Sequence, residues 1–451
     1  MMLKGTRQGG ILFPSFNRST DPNWSTTTIP TDVHDPNSPT IVVPEFWDGN
    51  VGFDEVIEGV THWFTEGELR PIIFISIASY RDYMCPLTVS NIFSMATYPY
   101  RLRIVIIQQN SPDGTDVTCS LPPSTSCSST PSHPLCLHSS QVDLYSMDAT
   151  IATGPTLARA VGSRMYRGEM YAMQVDAHLE FVKGWDEDII LQHQKTKNNY
   201  AVLTTYLSDI RGSLSPSGAS LRSTVPVMCE STFVSEHHGH FMRHGSQPEL
   251  LPAVKGESLI SPYYAAGFVF SRGKFFADVP YDHNLPMIFQ GEEISLGVRG
   301  FTHGYDYYTP ERSVCFHYYA SKKDTKRKKV PTFWQHSNAH SGAAVESLKR
   351  LTKVIRIDPQ ADYDLKAMEG DKDLGEYGRF GLGRVRDPET FYDMVGIDVE
   401  RRRSAKGLCK SVTRGGFHQK LKQYLREDGG GIDYDDEGLK GWRVPTLRWE
   451  D

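Results

Sequence analysis

The stretch YAMQVDAHLEF, residues 171–181, stays apolar or uncharged for five residues and then delivers Asp176, Ala177 and His178. A run of that length is too short for an ordinary helix and reads as a buried strand. In an open α/β sheet, ligands sit beyond the carboxyl ends of the strands. An acid and an imidazole two residues apart at such an end are placed to hold a hard or borderline divalent cation. The same three residues also make an ordinary solvated turn, so the flanking segments have to decide between the two.

Those segments alternate. PIIFISIASYRD, residues 71–82, contains a second buried strand, and RLRIVIIQQN, residues 101–110, a third. Between them PLTVSNIFSMA, residues 86–96, has apolar residues at helical spacing, with Pro86 suited to a first turn. Helical spacing recurs in residues 154–169, 185–197, 291–304 and 344–355, and strand-like runs in 200–206 and 263–271. Strand–helix–strand order predicts an α/β fold with a mainly parallel sheet flanked by helices. We divide the chain into a loop-rich arm (1–68), a sheet domain (69–340) and a C-terminal extension of helix and loop (341–451). Residues 111–140 are rich in Ser, Pro and Cys and read as a surface insertion.

Bulk properties narrow the function. The chain has 451 residues, 39% hydrophobic and 23% charged, with a formal net charge of −6. That is ordinary for a globular protein and supplies no basic face for nucleic acid. No apolar run approaches the roughly 20 residues that span a bilayer, and the first residues carry no signal-peptide core. The expectation is a cytoplasmic protein, or a Golgi one if an anchor precedes this chain. On that expectation the sequons at Asn17 and Asn23 are idle, and Cys119, Cys127 and Cys136 are free thiols rather than a disulfide or metal cap.

Four polar stretches fall at predicted element ends: Tyr80-Arg81-Asp82, Asp176-Ala177-His178, Gly291-Glu292-Glu293 and Phe316-His317-Tyr318. Departure of a nucleoside diphosphate from a sugar builds negative charge, which a divalent metal and Arg or Lys side chains offset. Asp176, His178 and a distant His317 would supply part of such a metal shell. Each has a plainer reading: a turn for the first pair, a packed core histidine for His317, favourable charges on a helix N-terminus for Glu292 and Glu293, and a surface pair for Arg81 and Asp82. The histidines 237, 238, 240 and 244 offer zinc ligands at a spacing that fits no well-defined site. The basic run at 322–329 is either a loop that closes over a diphosphate or a solvated charge cluster.

Taken in order, IFISIASYRD (73–82), residues 154–190, AAGFVFS (265–271), residues 279–310, FHYY (316–319) and PTFW (331–334) resemble the Skp1-type hydroxyproline N-acetylglucosaminyltransferase family. The resemblance covers residues 70 to 335. It implies a glycosyltransferase-A fold, a retaining mechanism, UDP-N-acetylglucosamine as donor, Mn²⁺ or Mg²⁺ as cofactor and a protein hydroxyl as acceptor. Carried over by position, Asp176, His178 and His317 would be metal ligands. Arg81, Arg159 and Asp176 would face the nucleotide or diphosphate. Glu292 and Glu293 would lie at the catalytic centre near sugar and acceptor, one of them on sugar hydroxyls; same-face attack with the departing phosphate taking the acceptor proton and double displacement through a carboxylate both stay open. The family's Asp-Ser-His is Asp176-Ala177-His178 here, which keeps both ligands, whereas its Gly-Pro-Cys-Trp-Ala-Arg is Gly154-Pro155-Thr156-Leu157-Ala158-Arg159. Trp185 and Trp334 are candidates for stacking on sugar or peptide, or for core packing. A competing reading is a non-catalytic sugar-nucleotide-binding module on the same fold, and a third is a zinc hydrolase built on the 237–244 histidines.

Overall fold

The β-branched run after Pro71 forms strand β1, Ile73–Tyr80, in a computed structural model of the chain. The structure describes residues 6–8, 11–13, 25–236, 239–320, 326, 329–340, 342–358 and 377–449. Along β1 the side chains alternate between two cores, as the period of two requires. Ile73, Ile75 and Ile77 join one apolar cluster, and Phe74 joins the other. The further strands of the main sheet are β2 (Leu102–Asn110), β3 (Val142–Asp148), β4 (Tyr171–Asp176), β5 (Ala201–Thr204), β6 (Leu259–Ile260), β7 (Phe268–Arg272) and β8 (Asp306–Thr309). Their spatial order is β6-β8-β5-β7-β4-β1-β2-β3. β4, β1, β2 and β3 pair in parallel, as do β5 and β8, while β7 runs antiparallel between β4 and β5. The expected mixed, mainly parallel α/β sheet is present.

Helices cover both faces. α1 (Cys85–Met95) and α3 (Trp185–Lys195) pack Val89, Ile92, Trp185 and Ile189 on the first core. α2 (Pro155–Ser163) packs Leu157, Ala158 and Val161 on the second. α4 (Glu292–Thr302) and α5 (Ala343–Val354) complete the frame of the site. Trp185 is fully buried, with its indole N–H donating to Ile92 O, so it is a core residue.

The flanking segments join the same cores. Within the arm, Thr26–Pro30 and Thr40–Pro44 form a hairpin that contributes Ile29, Ile41 and Val43 to the second core. In the extension, Leu351, Phe391, Val412 and Ile432 join the first core. There Arg386 pairs with the buried Asp306 of β8 at 2.8 Å.

The cysteines correct the sequence expectation. Cys85–Cys119, Cys127–Cys136 and Cys229–Cys409 are disulfides, and Cys315 is a buried free thiol. The insertion is therefore stapled to the first turn of α1, and it buries Cys119 and Leu135 in the core. Pairing was illegible because it depends on chain segments brought together only by the fold.

Candidate active site

β4 ends at Asp176, opposite Ala78 of β1. The turn that follows is pinned by α1: the Thr88 hydroxyl donates to Ala177 O at 3.0 Å and accepts from Leu179 N at 2.9 Å. Leu179–Phe181 then pairs antiparallel with Cys315–His317, and Leu179 faces His317 in the register. This short ladder brings His317 beside His178 although 139 residues separate them.

The two histidines approach through Nε2 atoms 2.8 Å apart, and His317 Nε2 lies 3.6 Å from Asp176 Oδ2. Asp176, His178 and His317 each offer one ligand atom, all within 4.8 Å of one another, the one such group found among the described residues. One oxygen and two ring nitrogens suit Mn²⁺, with Mg²⁺ less tolerant of imidazole. Burial pushes the Asp176 carboxyl up, but the His317 hydrogen bond and the Arg159 and His178 charges outweigh it and hold the group well below the usual carboxylate range. Asp176 is therefore an anion throughout the neutral range, as a ligand must be.

These residues line a cavity of about 1050 Å³ that also takes in Arg159, Glu292, Glu293 and Trp334. Gly291 precedes α4 with φ of +92°, a left-handed conformation that a side chain would strain, and so turns the two glutamates into the cavity. A Cβ on Gly267 would come within 3.3 Å of Asp176 Oδ2, so glycine keeps the floor beside that carboxylate open. Arg159 is buried, with Nη1 at 2.7 Å from Glu292 and Nη2 at 3.1 Å from Asp176. Burial raises the Glu292 carboxyl to about 7 against the pull of Arg159. Glu293 is also raised by burial; its oxygens accept from Ala266 N and the Tyr206 hydroxyl, each at 2.8 Å.

Not every candidate joins the cavity. Arg81, at φ of +50°, turns its Nε onto Asp116 of the insertion at 2.8 Å and is not among the lining residues. The zinc cluster is not assembled among the described residues. His240 bonds to Ser235, His244 donates to Tyr264 O from a buried position, and His237 and His238 lie outside the described residues. Of the basic run, Lys326 sits over the Tyr83 ring at 3.9 Å and Lys329 is exposed, and the rest lies outside the described residues. The cavity also holds aromatic residues not singled out from the sequence, among them Tyr206, Phe289 and Tyr319, the last tilted 43° against His317 with ring centroids 4.0 Å apart. Asp82, read as a surface partner of Arg81, is instead buried and bonds His178. The signal available for Asp82 and Tyr206 was their position at strand ends.

The Glycosyltransferase (GlcNAc) family profile matches residues 72–131 and 113–401, well over half of the chain. The chain belongs to the GlcNAc glycosyltransferase family. Among curated proteins none matches it significantly in sequence. Solved structures similar to it include GalNAc-T7 with UDP, GalNAc and Mn²⁺, at 16% identity over 68% of this chain and 54% of that one, with a TM-score of 0.42. TarS 1–349 of S. aureus in complex with UDP-GlcNAc is 10% identical over 69% of this chain and 73% of that one, with a TM-score of 0.34. The match spans about half the length of the GalNAc-T7 chain.

Proposed function

We propose that this member of the GlcNAc glycosyltransferase family moves N-acetylglucosamine from UDP-GlcNAc to a protein hydroxyl, with retention, using Mn²⁺ or Mg²⁺. The observation that carries the reading is the convergence of Asp176, His178 and His317 in the cavity that also holds Glu292 and Glu293. A divalent cation, when bound, offsets the charge that grows on the departing diphosphate. In the transfer the anomeric carbon loses its bond to the diphosphate oxygen and gains one to the acceptor oxygen. The acceptor proton passes to the departing diphosphate on the same face. Glu292 and Glu293 are already engaged by Arg159, Ala266 and Tyr206, which supports a role in holding sugar hydroxyls rather than in attack. Each carboxylate has about four acceptor positions, so lone pairs remain for the substrate.

The cavity is at the upper end of the range for one small ligand, about 300–1,000 Å³, which supports room for a second substrate. Phe289, Tyr319 and Trp334 line it while remaining 49%, 42% and 46% exposed, and they supply faces for an acceptor ring. Hydroxyproline is the acceptor that the family resemblance favours. Three disulfides support an oxidising compartment in place of the reducing cytoplasm expected from the sequence. Among the described residues no helix is long and apolar enough to cross a membrane.

The test is release of UDP from UDP-GlcNAc with and without Mn²⁺, in wild type and Asp176→Asn. Metal-dependent release lost in the variant, with UDP-GlcNAc turnover falling at least about 100-fold, is the expected result. UDP binding without release in the presence of hydroxyproline and threonine peptides would instead favour a binding module. Transfer to the threonine peptide alone would rule out the hydroxyproline acceptor.

A further inference from the structure

We propose that Asp82 is a positioning residue that sets the affinity of the metal site by fixing the tautomer and orientation of His178; the inference rests on the metal-site reading above. His178 Nδ1 lies 2.8 Å from Asp82 Oδ2. An ionised carboxylate only accepts, so this contact puts the imidazole proton on Nδ1. The Nε2 lone pair then faces His317 Nε2 and the carboxylate of Asp176. Without that partner the ring is free to carry its proton on Nε2, where it would occupy the ligand position.

Asp82 is itself held. Its Oδ1 accepts from Met84 N at 2.9 Å ahead of α1, and the residue is 6% exposed. Thr88, one turn into α1, clasps the backbone on both sides of His178 through Ala177 O and Leu179 N. The turn ahead of α1 thus holds the ring by its far nitrogen, and the first turn of α1 holds the main chain. A carboxylate behind a ligand histidine fixes the ring's orientation and tautomer, and loss of such a partner typically costs 10- to 100-fold in metal affinity.

The experiment is a Mn²⁺ titration of the donor-free protein, followed by electron paramagnetic resonance of free Mn²⁺, in wild type, Asp82→Asn, His178→Ala and the double variant. Asparagine keeps an oxygen for the Met84 N–H, so the metal-free variant should retain the wild-type melting temperature. The expected result is a Kd raised about 10- to 100-fold by Asp82→Asn, with no further loss when it is added to His178→Ala. Wild-type affinity in Asp82→Asn, or a full additive loss in the double variant, would overturn the role of Asp82. A wild-type protein that binds no Mn²⁺ would overturn the metal reading, and this inference with it. One measurement needs no variant: ¹⁵N imidazole shifts of the metal-free wild type should show His178 protonated on Nδ1, and an Nε2–H tautomer would overturn the proposal.

Discussion

At Arg159 one guanidinium answers two carboxylates, Glu292 at 2.7 Å and Asp176 at 3.1 Å. Burial opposes its charge, but Glu292, Tyr281 and Asp176 together raise its pKa well above the ordinary value, so the group stays cationic. The guanidinium fork suits this geometry in a way an ammonium does not, because its donors leave one plane in fixed directions. Removing it would leave Glu292 buried without its cation. Arg159→Ala should therefore lower stability by about 3–5 kcal/mol, the cost of breaking a buried pair from one side. Urea unfolding of the metal-free protein measures this, and a loss below about 1 kcal/mol would show that the pair contributes no more than a surface bridge does. Arg159→Lys should recover only part of the loss, since one ammonium cannot serve both carboxylates as the fork does.

Among the elements, the disulfides tie together segments with very different chain separations. Cys229–Cys409 closes 180 residues, Cys85–Cys119 closes 34 and Cys127–Cys136 closes 9. In the chain-entropy view the stabilisation grows with the logarithm of the loop, to about 5, 4 and 3 kcal/mol respectively. Pairwise Cys→Ser variants, unfolded in urea without reductant, should lose stability in that order, and a reversed order would show that the fold itself, not the closed loop, sets each contribution. Deletion of 112–139 should cost more than loss of its disulfides, because it also strips Leu135 from the core and His138 from its stack on Phe93. This revises the sequence reading of a surface insertion without a core pattern. The contrast shows what was legible. α1, α3 and α4 begin and end on local signals, such as Pro86 in a first turn or Gly291 ahead of two acids, and these survive folding unchanged. The ladder that sets Leu179 opposite His317, and the bond from His178 to Asp82, join residues far apart in sequence, so periodicity carries no trace of them. The hairpin in the arm was illegible for a related reason: its short strands depend on the second core for their burial.

Across the whole molecule, burial holds several histidines neutral, and this couples the fold to acidity. His193 is depressed to about 3, His244 to about 4 and His283 to about 4, in each case chiefly by burial. His193, near the end of α3, puts its Nε2–H on Ala201 O of β5, and His244 makes the equivalent bond to Tyr264 O. In the unfolded chain each would protonate near pH 6.5. Because the folded values are depressed, the stabilisation is present above about pH 6.5 and drains away as pH falls toward 4. Within that window each histidine contributes about 1.4 kcal/mol per pH unit, while Glu292, raised by burial to about 7, keeps a proton that the unfolded chain has shed and opposes them by the same amount, so the four together make the folded state lose about 3 kcal/mol per unit. Carboxylates in the unfolded chain titrate mostly below this range. Urea midpoints at pH 7.5, 6 and 5 should therefore fall steeply between the last two. His193→Gln, which keeps a side-chain N–H donor for Ala201 O without a titrating ring, should flatten the slope by about half. A slope left unchanged by His193→Gln would mean that this ring protonates as readily folded as unfolded, which its burial does not permit.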